Sequence, residues 1–154
     1  MSRQSSGILL YRQIDDQLEV LLVHPGGPFW KKKDLGAWSI PKGEFEDEDA
    51  LSAAKREFEE ETGATVDGEM ITLTPQEQKG GKVVHAWAVE GDLNPEEIQS
   101  NTFEMEWPPR SGKKQEFPEI DKAEWFPVRT ALQKINQAQA TFIRELTEKL
   151  DIQV

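Results

Sequence analysis

Three glutamates, Glu57, Glu60 and Glu61, follow Arg56 in the stretch REFEEETG. On a helix advancing ~100° per residue, offsets of three and four are neighbours, so the three carboxylates fall on a single face. Carboxylates held this close repel and need a positive charge between them. Hard divalent cations such as Mg²⁺ or Mn²⁺ prefer carboxylate oxygen and would relieve the repulsion. Arg56 adjoins Glu57 and lies four residues before Glu60, a spacing that lets it orient a carboxylate. The plainer alternative is an acidic, solvated helix face. Spacing by itself leaves both readings open.

The surrounding stretch supplies the helix. Residues 48–62 contain no proline or glycine and include Ala50, Leu51, Ala53, Ala54, Lys55 and Arg56, all good helix formers. Asp47, Glu48 and Asp49 sit at the expected start, where acids favour the helix dipole. Gly63 follows, where a helix ends most easily on a left-handed residue. Leu51, Ala54 and Phe58 form a stripe for the core. Ser52, Lys55 and Glu59 point to water, and Ala50 and Ala53 flank the carboxylates. Nine of the residues from 43 to 63 are acidic, and only Lys55 and Arg56 offset them.

The chain as a whole narrows the chemistry. Its 154 residues suit a single domain, 1–154, with a core of its own. Hydrophobic residues are 36 % and charged residues 31 %, a globular and not a disordered composition. With no cysteine there is no disulfide framework and no thiolate metal site. The apolar run after Arg3 is too short for a signal peptide or a membrane span, so the expectation is a cytoplasmic protein with no membrane partner. A net charge of −11 argues against a nucleic-acid duplex as ligand. An anionic substrate would need bridging cations or a local basic patch.

Residues 7–13 and 18–25 are apolar and β-branched and are separated by the polar turn IDDQ, so they read as paired strands. Residues 70–78 and 82–91 read as two more, separated by Gly80 and Gly81, and 122–128 as a short fifth. Residues 129–150 are helical with a break near Asn136, and Leu132, Ile135, Phe142, Ile143, Leu146 and Leu150 suit one buried face. Strands mixed with two helical regions give an α/β or α+β domain.

The segment 43–64 resembles the Nudix box, G-x5-E-x7-R-E-U-x-E-E-x-G-U, where U is a bulky aliphatic residue. Arg56, Glu57, Glu60, Glu61 and Gly63 match its second half, with Phe58 and Ala64 as looser matches to U, and seven residues, 49–55, separate Glu48 from Arg56 as the pattern requires. Only four residues separate Glu48 from Gly43, one fewer than the pattern, which leaves the path of this loop open. The resemblance implies an α/β/α sandwich on a mixed β-sheet. It also implies a metal-dependent pyrophosphohydrolase acting on a nucleoside diphosphate linked to another group, with Mg²⁺ or Mn²⁺ as cofactor. Carried over by position, Glu57 and Glu61 are metal ligands and Glu60 is a ligand or a base for the attacking water. Gly43 offers a carbonyl, Arg56 orients Glu57 or Glu60, and Glu48 orders the loop. The base is not fixed across the family. Glu116 and Glu119 are candidates, with surface acids as the plainer reading.

The stretch 24–38, HPGGPFWKKKDLGAW, is the second unusual one. Phe29 and Trp30 suit base stacking, and Lys31, Lys32 and Lys33 suit phosphates, with Lys42 a further candidate. The alternative is an exposed loop kept soluble by its lysines. The sequence PKG at 41–43 resembles the entry to the box in dinucleoside tetraphosphate hydrolases. That favours a dinucleoside polyphosphate over a nucleoside triphosphate or a nucleotide sugar. A non-catalytic nucleotide-binding module is the other class. His85 reads as a packed strand histidine. Residues 100–121 show no clear periodicity. They read either as a functional lid, with Phe103, Trp107, Arg110, Lys113 and Lys114 toward substrate, or as a surface excursion.

Overall fold

A computed structural model describes residues 3–78 and 80–152. The first two strands, β1 (Gln4–Ile14) and β2 (Gln17–Pro25), pair antiparallel through Asp15 and Asp16, which take φ of 50° and 66°. Two successive left-handed residues give a turn whose twist matches that of the strands. A short β3 (Lys42–Glu44) precedes helix α1 (Ala50–Thr62). Then follow β4 (Ile71–Glu77) and β5 (Val83–Glu90), an antiparallel pair, and a two-stranded hairpin of β6 (Thr102–Glu106) and β7 (Lys114–Pro118). Strand β8 (Ile120–Pro127) leads into α2 (Val128–Lys134) and α3 (Ala140–Lys149). The break between these helices falls at Ile135 and Asn136, whose carboxamide accepts from the Ala138 amide and starts a single 3₁₀ turn, Gln137–Gln139.

The main sheet has six strands in the order β4-β5-β1-β2-β8, with β3 added alongside β1. β1 and β5 run parallel and the other neighbours antiparallel, so the sheet is mixed. Period-2 alternation along β1 sends Ile8 and Leu10 to one face, where they meet Ala54 and Phe58 of α1. Leu9 and Tyr11 go to the other, where they join Trp38, Ile40, Phe142, Ile143 and Leu146. Each face is thus covered by helix, the α/β/α sandwich that the resemblance implies. No helix among the described residues is long and apolar enough to cross a membrane.

Two details position the site. β1 divides its partners: Tyr11–Ile14 pair with β2, whereas Ser5–Gly7 pair with β3. The segment between crosses the gap, with Ser39 bridged to Val23 and the Pro41 carbonyl accepting from the Ile8 amide at 3.1 Å. Gly7 admits this crossing, because a Cβ there would stand 2.6 Å from the Pro41 carbonyl oxygen. The second detail is the hairpin. Residues 100–121, with no evident period, contain the ladder Thr102–Glu106 against Lys114–Pro118. The alternation of Phe103 and Met105 with Glu104 and Glu106 is there, but the strands are short, charge-rich and separated by WPPRSG, so the signal is weak.

Candidate active site

Helix α1 forms as its sequence dictates. Asp49 caps the start, accepting from the Ser52 amide at 3.1 Å. Gly63 ends it in the left-handed conformation, φ 79°, with its amide bonded to the Glu59 carbonyl. Ala53, Ala54 and Phe58 are buried, while Leu51 is only half-buried, so the core stripe is shifted by one residue toward Ala53. Ser52, Lys55 and Glu59 face water.

The carboxylate face divides into two buried acids and one open acid. Glu57 and Glu61 are buried, with 8 % and 7 % of their surface exposed, and Glu60 is half-exposed. A carboxylate is placed in the interior only where something satisfies it. Glu61 Oε1 accepts from the Lys42 amide at 3.2 Å. Glu57 lies directly over Gly43, and its Oε1 accepts from Arg56 at 2.9 Å. Arg56 also reaches Glu60 at 3.2 Å and Glu48 at 2.5 Å, so one guanidinium ties three carboxylates. The loop that is one residue short therefore still delivers Glu48 to Arg56. Asp47 takes φ 52°, a left-handed conformation that tightens the turn.

A fourth acid joins from outside the helix. Glu119 follows the hairpin. Its carbonyl accepts from the Gly26 amide and its amide donates to the Asn101 carbonyl, each at 2.8 Å. The Asn101 amide in turn donates to the Glu60 carbonyl at 3.0 Å, and the Gln99 amide to Thr62 at 2.9 Å. The chain thus laces Glu119 to the last turns of α1. Glu116, the other candidate, stays on the exposed outer face of the hairpin, bonded to Thr102.

Burial sets the electrostatics. Desolvation, reinforced by Glu57 and Glu119, pushes the Glu61 carboxyl up to about 8 against the pull of the Lys42 amide. Burial also raises Glu57, opposed by Arg56, and raises Glu119, with the Glu60 charge adding to it. Lys42 is lowered by its own burial and by Lys82. Among the described residues no three acidic or histidine side chains converge on one point at ligand spacing. The donor set nevertheless fits a hard divalent cation. It offers carboxylate oxygens that are desolvated and short of positive charge, beside a backbone bared by Gly43.

The loop 26–35 lies at the Glu119 end of the sheet. Phe29 is 61 % and Trp30 38 % exposed, and Lys31, Lys32 and Lys33 are exposed as well. Phe29 meets Trp107 edge-on at 5.5 Å, and the Lys33 ammonium stands 5.0 Å above Trp30. Buried His24 anchors the loop: Nε2 donates to the Lys33 carbonyl at 2.7 Å and Nδ1 lies 2.9 Å from Asp121. His85 bonds Gln4 at 2.8 Å and packs edge-on against Phe45, as a packed strand histidine.

A family model for the NUDIX domain matches residues 1–146. The chain belongs to the NUDIX family. Nudix hydrolases act on phosphoanhydride bonds of nucleoside diphosphate-linked substrates, generally with divalent metal ions, and this chain is a hydrolase of that class. Solved Nudix structures share its fold. The Ap4A hydrolase of C. elegans, as a binary complex, is 23 % identical with a TM-score of 0.66, over 97 % of this chain and 98 % of that one. The NUDIX domain of Shewanella oneidensis NrtR, complexed with ADP ribose, is 18 % identical with a TM-score of 0.68, over 97 % and 89 %. A mutT/nudix family protein from Listeria innocua is 19 % identical with a TM-score of 0.62, over 97 % and 94 %. No curated protein matches the chain.

Proposed function

We propose that this Nudix hydrolase cleaves a dinucleoside polyphosphate, with Mg²⁺ or Mn²⁺ held by Glu57, Glu60, Glu61 and the Gly43 carbonyl. The observation that carries the catalytic part is the pair of buried glutamates, Glu57 and Glu61, facing a third acid, Glu119. An arrangement so short of positive charge has a use once a cation and a phosphate chain are bound. The bound cation neutralises phosphate charge and polarises the pyrophosphate oxygens.

The protein's own residues divide the remaining work. Arg56 holds Glu57 and Glu60 in register, and Glu48 fixes the far side of Arg56. Lys42 fixes Glu61 through its backbone and lends its ammonium to the phosphates. Glu119 takes the proton of the attacking water: its raised proton affinity suits a base working near neutral pH, and no arginine is bonded to it among the described residues. Phe29, Trp30, Lys31, Lys32 and Lys33 receive the part of the substrate remote from the carboxylates.

The substrate assignment rests on PKG at 41–43 and on this aromatic, lysine-rich loop. A likeness across nearly the whole of both chains to the Ap4A hydrolase fold is in keeping with it. The test is phosphate release from a panel of diadenosine polyphosphates, nucleoside triphosphates, ADP-ribose and nucleotide sugars, in Mg²⁺, Mn²⁺ and EDTA. The expected result is metal-dependent turnover, fastest on the diadenosine compounds. Preference for a nucleotide sugar would overturn the substrate. Binding without turnover would make the chain a nucleotide-binding module.

A further inference from the structure

We infer that the β6–β7 hairpin is a second wall of the substrate cleft, in which Trp107 and Lys113 face Phe29 and hold the nucleoside and phosphates farthest from the carboxylates. The inference rests on the hydrolase reading above and extends it to a segment outside the Nudix box.

The hairpin has two unlike faces. Phe103 and Phe117 are opposite one another in the ladder, as are Met105 and Gln115, so these four share one side. That side meets the loop 26–35. A Cβ on Gly27 would stand 3.0 Å from the ring of Phe103, and Phe29 packs edge-on against Trp107. The Trp107 amide donates to the Lys113 carbonyl at 2.9 Å, which continues the same register and puts Lys113 on this side with Trp107. Glu104, Glu106, Lys114 and Glu116 lie on the other side. The acids of the hairpin are thus turned away, and the inner side presents aromatic rings and a cation.

Charge and continuity identify the occupant. In a chain of net charge −11, the Phe29–Trp107 contact is flanked along the chain by four cations, Lys31 and Lys32 after Phe29 and Arg110 and Lys113 after Trp107. All four are exposed, and none forms an ion pair among the described residues. Such a patch suits an anion that also carries a flat ring. The wall is continuous with the carboxylates through Glu119, whose backbone is bonded both to Gly26 at the root of the loop and to Asn101 just before β6. A phosphate chain starting at Glu57 and Glu61 and passing Glu119 leads onto this surface. A substrate with a short linkage, such as ADP-ribose, engages it less than one with four phosphates and a second base.

The test compares Trp107→Ala, Trp107→Phe and Lys113→Ala with the parent protein on diadenosine tetraphosphate and on ADP-ribose. Loss of one base stack should cut the ratio of kcat/KM for the tetraphosphate over ADP-ribose about tenfold in Trp107→Ala, mostly through KM. Trp107→Phe, which keeps a ring, should restore it to within about threefold, and Lys113→Ala should lower it severalfold. A ratio unchanged in both Trp107→Ala and Lys113→Ala overturns the inference. If the parent cleaves neither compound, the dinucleoside polyphosphate assignment fails, and calorimetry of diadenosine tetraphosphate in Mg²⁺ decides the wall separately. About tenfold weaker binding by Trp107→Ala upholds it, and equal affinity or no binding by the parent overturns it.

Discussion

Gly43 and Glu57 fit together because Gly43 has no side chain: a Cβ there would stand 2.1 Å from Oε2 of Glu57, far inside van der Waals contact. The pairing fixes the height of α1 above β3 and leaves the Gly43 backbone open beside a buried carboxylate. Gly43→Ala should therefore push the Glu57 carboxylate aside. A displacement of about 1 Å in a catalytic group costs on the order of 100-fold in rate, so kcat should fall by about that factor. Turnover assays beside thermal melts check this. An unchanged kcat would show that Glu57 has room to move without consequence.

Removing one carboxylate at a time separates the roles. Glu57→Gln and Glu61→Gln keep the shape and delete the charge, and each should lower metal-dependent turnover by at least 100-fold while the protein stays folded. Glu59 points to water, so Glu59→Gln should be nearly silent. Steady-state kinetics over a Mg²⁺ titration distinguish weaker metal binding from a slower chemical step.

Glu119 and Glu116 make a matched pair for locating the base. Glu119→Gln should slow turnover by roughly 10²–10⁴, the usual worth of a general base. Glu116→Gln on the outer face of the hairpin should be close to the parent. The pH–rate profile of Glu119→Gln should also lose its ascending limb. If the profile keeps that limb, the base lies elsewhere.

The proton held by Glu61 makes stability depend on pH in a defined direction. Its carboxyl titrates near 8 in the folded protein and near 4.5 in the unfolded chain. Between these values the folded state keeps a proton that the unfolded chain has lost. The contribution is complete below about 4.5 and is lost as pH rises through about 8. Metal-free protein should accordingly lose stability on going from pH 5 to pH 8, by up to ~1.4 kcal/mol per pH unit, with Glu57 and Glu119 acting in the same direction. Urea unfolding in EDTA across this range measures it. Glu61→Gln should flatten most of the slope, and added Mg²⁺ should stabilise the protein more at pH 8 than at pH 6.

His24 offers a test away from the chemistry. It is 1 % exposed, bonds both Lys33 and Asp121, and meets Trp38 edge-on at 5.2 Å. His24→Ala should cost about 3 kcal/mol, because it leaves the Lys33 carbonyl and the Asp121 carboxyl without their partner and opens a cavity. Denaturant midpoints give the value. Loss of less than ~1 kcal/mol would mean that water replaces the imidazole.

Much of this site was legible in the sequence because it is local. Gly63, the acids at 47–49 and the run 48–62 fix α1, and helical spacing then puts Glu57, Glu60 and Glu61 on one face. Runs of apolar and β-branched residues likewise mark β1 and β2. The rest is set by tertiary pairing, which no window of sequence contains. Nothing near Glu119 tells it from Glu116. The difference comes from Gly26 and Asn101, distant residues that take up its backbone groups. Lys42 reads as a cation, yet its amide is what holds Glu61. Residues 100–121 read as a loop because Glu, Lys and three prolines mask two short strands.

The parallel ladder of β1 with β5, running from Gln4↔Val83 to Tyr11↔Glu90, bears on how the molecule is made. α1 lies between these strands in the chain, and it packs on β1 in a sheet that β5 helps to complete. A ribosome that has just finished residue 64 has made every residue of the motif together with β1, β2 and β3, but neither β5, which completes the sheet beside β1, nor Glu119. Pairing across so many residues is slow to close, and Glu119 arrives later still. A nascent chain of that length therefore carries its acidic helix beside an incomplete sheet, and hydrolytic competence should begin only after β8 has added to β2. Fragments ending before residue 120 should be inert whatever their helix content, which separates possession of the motif from possession of the enzyme.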